Sequence, residues 1–63
     1  MARRELERAL LTPAETAARL RVSRSTLRRW RFEGGGPPSR KLGPRTVRYE
    51  RSALDEWVDG RPT

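Results

Sequence analysis

Hydroxyl and guanidinium groups crowd one short stretch of the chain, at Ser23, Arg24, Ser25, Thr26, Arg28 and Arg29, and a second basic cluster follows at Lys41, Arg45, Thr46 and Arg48. A guanidinium holds its proton at any ordinary pH and presents a rigid fork of N–H donors. That fork matches a phosphate, or the O6 and N7 edge of a guanine, with two parallel hydrogen bonds. Serine and threonine hydroxyls add short neutral donors to phosphate oxygens. Together these types suit recognition of a polyanion. Bond-breaking chemistry is poorly served, because the chain contains no His and no Cys, which removes the usual general base and the commonest metal ligand. Asp55, Glu56 and Asp59 lie on a short segment with no sign of a pocket. Neither an enzyme nor a cofactor is expected.

The charge distribution sharpens this. Net charge is +7 and the pI about 11.6, in the range of nucleic-acid-binding domains. Between Arg19 and Arg51 stand eleven basic residues against two acidic ones, Glu33 and Glu50, whereas the ends are nearly balanced. Fourteen of the fifteen basic residues are Arg; a GC-rich genome would explain that preference over Lys, but not the clustering. Sixty-three residues make one domain, which buries about 60% of its unfolded surface. No apolar run approaches membrane-spanning length and the N-terminus is charged, so a soluble, cytoplasmic protein with no membrane partner is expected.

The elements that position these groups can be read from their caps. Thr12 is an N-cap, Pro13 suits the first helical position and Glu15 completes a capping box, which starts a helix running to Leu20. Arg21-Val22 turns the chain, and Ser23 caps a second helix from Arg24 to about Phe32. That helix has a narrow apolar stripe, Leu27 and Trp30, and basic residues on its other sides. Ala17 is the small residue needed where the two helices would cross. A glycine often stands in the turn of such a unit; Arg21 stands there instead, so one residue is expected at a costly positive φ or the turn differs in shape. The unit reads as a helix-turn-helix with a recognition helix, set against a plain αα-hairpin whose arginines only solvate its surface.

Gly34-Gly35-Gly36-Pro37-Pro38 ends the second helix and forces an extended connector; it lacks the Lys and Ser/Thr of a phosphate-binding loop. Arg40-Lys41-Leu42 and Thr46-Val47-Arg48-Tyr49 alternate around Gly43-Pro44-Arg45 as a β-hairpin. Its basic edge reads as a wing touching phosphate or a minor groove, with an edge that uses charge against sheet pairing as the alternative. From Glu50 to Val58 a third helix ends at Gly60, and Leu54, Trp57 and Val58 form its inward stripe. Trp57 is expected to pack on Trp30 and Tyr49, and the acidic face to point away from the ligand. The expected core is Leu20, Val22, Leu27, Trp30, Val47, Tyr49, Leu54 and Trp57, with Leu11 as a staple on the first helix. Residues 1–10 make an arm or short helix, whose Arg3 and Arg4 have minor-groove reach; residues 11–60 make the domain and 61–63 a tail. The fold class is mainly α with a small β-hairpin.

Helix-turn-helix, connector, basic hairpin and closing helix make a winged helix-turn-helix. The stretches Leu11-Thr12-Pro13-Ala14-Glu15 and Val22 to Trp30, then Val47-Arg48-Tyr49 with Leu54 and Trp57, resemble the excisionase-type proteins of the MerR-like winged-helix superfamily. The resemblance spans nearly all of Leu11 to Gly60. It implies a small protein that binds repeated sites on double-stranded DNA, bends them and directs a tyrosine integrase toward excision, with cooperative self-association on DNA. Some members regulate transcription instead, and that remains the alternative. Full MerR regulators add a long dimerisation helix and an effector domain, so a compact architectural role rather than effector sensing is expected. A protein-interaction module using Trp57, Val58 and the acidic face is a third reading, one without DNA affinity.

Overall fold

The computed structural model describes residues 9–61. Strand β1 (Leu10–Leu11) is followed by helix α1 (Pro13–Leu20), helix α2 (Arg24–Glu33), strands β2 (Arg40–Gly43) and β3 (Thr46–Glu50), and helix α3 (Arg51–Asp59). Among the described residues, three helices and an antiparallel hairpin make the fold a mainly helical winged helix-turn-helix, as the caps and periodicity predict. The arm bearing Arg3 and Arg4 lies outside the described residues.

Helix α1 starts on a complete capping box. The backbone N–H of Glu15 donates to Thr12 Oγ1 (3.1 Å), and that of Thr12 donates to Glu15 Oε1 (2.9 Å). Two N–H groups without intrahelical partners are thereby satisfied. Helix α1 closes in a Schellman turn: the N–H of Arg21 donates to the carbonyl of Ala18 and the N–H of Val22 to that of Ala17, at 3.2 and 3.0 Å. That geometry needs a left-handed residue, and Arg21 takes it, at φ 55° and ψ 41°. The departure from glycine is therefore absorbed as backbone strain, not as a different turn. Ala17, the small residue expected at the crossing, is 2% exposed and packs in one cluster with Leu27 of α2.

The sheet corrects one expectation. Leu10 and Leu11 do not merely precede the cap: they pair antiparallel with β3, Leu10 opposite Glu50 and Leu11 opposite Tyr49. The sheet has three strands in the order β1-β3-β2, and the hairpin's inner strand is its centre. On the other side Arg40 faces Arg48, Lys41 faces Val47 and Gly43 faces Thr46, leaving Leu42 as the extra residue of a bulge. Pro44 holds φ near −65° and excludes the left-handed turns that suit tight hairpins, and a bulge is the usual way to restore the twist.

The core contains all eight expected residues, and adds others that the apolar pattern does not mark. Leu11, Thr16, Ala17, Leu27, Tyr49 and Leu54 are buried, while Leu20, Val22, Trp30, Val47 and Trp57 pack around them half-buried. Trp57 does meet Trp30, with ring centroids 6.2 Å apart and planes tilted by 48°. Its outer side carries the guanidinium of Arg61, 4.3 Å from the ring centroid. Thr16 escapes notice as a core residue because it is polar; its hydroxyl donates back to the carbonyl of Thr12 (2.9 Å), which removes the cost of burying it. Gly36 is more than a connector residue: a Cβ there would stand 2.8 Å from the Cβ of Trp30.

Candidate nucleic-acid interface

Helix α2 presents three lines of side chains, set by its 100° step per residue. Leu27, buried, and Trp30, half-buried, point inward. Ser25, Arg28 and Phe32 point outward, at spacings of three and seven. Arg24 and Arg31, seven apart, lean toward the hairpin. Lys41 and Arg45 come from the hairpin side, and the two elements enclose an open cleft of about 1070 Å³. Arg24, Ser25, Arg28, Lys41, Arg45 and Arg48 all line it, so the structure gathers six of the ten sequence-predicted residues around one concavity.

The other four are placed differently. Ser23 and Thr26 are the cap of α2: Ser23 Oγ accepts the N–H of Thr26 (3.0 Å) and donates to Thr26 Oγ1 (2.8 Å). Both hydroxyls are thus partly committed to the helix start. Arg29 turns to the far side and pairs with Glu33 at 3.8 Å, both side chains well exposed, a contact of small energetic value. Thr46 is exposed beside the hairpin turn and does not line the cleft. Within the cleft, Arg48 is half-buried and its Nη1 donates to the carbonyl of Val47 (2.8 Å), so its head is held along its own strand.

Two cleft residues escape the sequence reading. Arg31 reads only as one of the basic residues of a helix expected to end near Phe32, and Phe32 carries no expected role, yet α2 continues to Glu33 and both line the cleft. Their signal was available: both follow Arg28 on the exposed side of the helical wheel. Tyr49 forms part of the floor, and burial pushes its hydroxyl pKa up while the charge of Arg31 opposes the shift.

The electrostatics are one-signed. Among the described residues the ion pairs are Arg29–Glu33 and Arg40–Glu50, neither across the cleft. Arg24, Arg28, Arg31, Lys41 and Arg45 face it without a carboxylate partner from the described residues. The carboxylate of Glu15 does not line the cleft: it is held by the Thr12 cap, which lowers its pKa, with the charge of Arg48 adding to this. An open concavity with guanidinium and ammonium groups on both walls, unpaired among the described residues, can accept a phosphodiester strand, while the outward line of α2 reaches past it to base edges. None of the described helices is long and apolar enough to cross a membrane, and no cluster of acidic side chains among the described residues suits a metal ion.

This geometry defines a class, the helix-turn-helix DNA-binding domains. The chain belongs to the helix-turn-helix domain family, whose model matches residues 10–62. No curated protein matches the chain. Sequence-specific binding to DNA follows from the family.

Proposed function

We propose that the chain is an excisionase-type architectural protein, which binds repeated sites on double-stranded DNA, bends them and directs a tyrosine integrase toward excision. The observation that carries this reading is the two-walled cationic cleft: α2 and the hairpin engage the duplex together, as bending requires. Ser23, Arg24, Ser25, Thr26, Arg28 and Arg29 act from the helix, with Ser25 donating to phosphate, Ser23 and Thr26 setting the helix start against it, and Arg29 toward the backbone. Lys41, Arg45, Thr46 and Arg48 act from the wing. Partners are duplex DNA in the cytoplasm, the integrase, and further copies of the chain bound cooperatively at neighbouring sites. The reading contains no catalytic step.

The alternative is a small transcriptional regulator of the same superfamily, which needs the same interface but a different DNA context. A footprint on DNA from the element that encodes the chain separates them. Repeated protections beside an integrase attachment site, with a shift in end-to-end fluorescence transfer on binding, are expected for the first reading. A single protection over a promoter, with no bend, overturns it in favour of the second. Absence of any salt-dependent DNA binding overturns both and leaves an interaction module.

A further inference from the structure

Phe32 is 70% exposed on the outward line of α2, one turn beyond Arg28, and it lines the same cleft as the cationic groups. An exposed phenyl ring on a binding face is costly to keep in water and contributes nothing to this core. It is also held: the guanidinium of Arg31 lies 5.0 Å from the ring centroid and that of Arg28 lies 5.8 Å from it. A guanidinium resting on a ring keeps its N–H fork in its own plane, free to bond outward. Arg28 and Phe32 therefore form one preset unit, a donor fork beside an apolar surface.

The major groove offers a matching pair of features. A guanine edge presents O6 and N7 to an arginine fork, and a thymine presents its C5 methyl to an apolar side chain. A mobile exposed ring would lose freedom on binding; one already held by two cations loses less. Resting on the DNA-binding reading above, we propose that Phe32 is a specificity residue, which reads the C5 methyl of a thymine next to the guanine contacted by Arg28. The ring is a direct base reader in this arrangement, while Arg24 and Arg31, leaning toward the hairpin, serve the phosphate strand.

The test uses the full chain and a duplex selected by it from a random-sequence pool. Each thymine in the selected site is replaced in turn by uracil, which removes the methyl and keeps the pairing. One position is expected to lose affinity about fourfold, the worth of one buried methyl-sized group. Phe32→Ala should bind the thymine and uracil duplexes equally, and Phe32→Leu should restore a preference for thymine. Because Phe32 lies outside the core, both variants should melt like the parent. Uracil indifference at every position overturns the proposal while leaving DNA binding intact. Equal weakening of Phe32→Ala on both duplexes, with the parent's thymine preference retained, also overturns it and moves the ring to the sugar–phosphate strand. A parent chain that selects no duplex overturns this proposal and the DNA-binding reading together.

Discussion

On the face shared by α2 and the hairpin, Arg24, Arg28, Arg31, Lys41 and Arg45 stand together without carboxylates from the described residues. Away from the cleft, α3 exposes Asp55, Glu56 and Asp59 beside the apolar Val58. The chain has acids that could have been interleaved with its bases, and the fold keeps the two sets apart. Clustering like charge costs stability through repulsion, whereas mixing would have relieved it. Stability therefore does not explain the arrangement, and an external polyanion does. The two regions also differ in apolar surface. Phe32 is held by cations within the charged cleft, whereas Val58 borders a smaller depression with Arg19, Leu20 and Leu54.

Both faces stand on one core, so the largest effects should strike them together. Leu27, 1% exposed, and Leu54, 2% exposed, come from α2 and α3. Leu27→Ala or Leu54→Ala should each cost about 2–5 kcal/mol, and so remove much of the stability of a domain this small. Trp57→Ala should cost less than a full aromatic deletion, because its ring is half-buried and carries Arg61 on its outer side. Denaturant melts check this order. If Trp57→Ala were the most damaging of the three, the core would centre on the tryptophan pair and not on Leu27, Tyr49 and Leu54.

Charge substitutions should act differently on the two faces. Arg28→Ala should lose about 1–3 kcal/mol on a selected site and relax preference at one or two base pairs. Arg24→Ala should lose a similar amount but, leaning toward the hairpin, with less change in base preference. Arg45→Ala should weaken binding to all sequences alike and lower the salt slope by about one unit. Asp55→Asn and Glu56→Gln should leave base preference untouched. Titrations at several salt concentrations against single-base variants decide the matter; equal losses from both faces would mean that net charge, not the cleft, drives binding.

Much of this was legible because it is local. Thr12, Pro13 and Glu15 declare the start of α1 within four residues, and Ser23 does the same for α2. Arg21 announced its strain by standing where glycine is usual. The third strand was not legible: two leucines carry no period, and their partners Glu50 and Tyr49 lie at the far end of the fold. Nor could the sequence say which arginines share a concavity. Arg29 differs from Arg28 by one step of the helix, enough to send it to Glu33. Phe32 was hidden by its position near a helix end, where residues are normally assigned no role.

Smaller effects come from the cap of α1. Two hydrogen bonds with Thr12, from its backbone N–H first and then its side chain, hold the Glu15 carboxyl below its ordinary value of 4.5, with the charges of Arg48 and Arg19 adding to this. A folded-state pKa below the unfolded one means that the contribution is present above about pH 4.5 and lost as pH falls through the folded value. Glu15→Gln should flatten the acid limb of a stability-against-pH curve in that window and change little at neutral pH beyond the loss of charge. Thr12→Ala should cost about 1 kcal/mol at neutral pH, the usual value of an N-cap. An unchanged acid limb would show that the capping box is not closed in solution.

The smallest expected change is at Arg21, and its sign is informative. A non-glycine residue in the left-handed region costs about 1–2 kcal/mol, and Arg21 occupies it at φ 55°. Glycine would remove that strain but loosen the unfolded chain, which costs about 0.4–1 kcal/mol. The two terms leave Arg21→Gly neutral or stabilising by up to about 1.6 kcal/mol, whereas Arg21→Val, with a branched Cβ, should destabilise clearly. If the Schellman turn were an accident of packing, glycine would give no gain and valine no loss in thermal melts. DNA binding adds the second reading of this position. Arg21 does not line the cleft, so Arg21→Gly should reduce affinity only through the loss of one charge, equally for all sequences and less at high salt. A residue kept strained for the sake of base recognition would instead lose sequence preference, and that result would extend the binding face from the cleft to the turn.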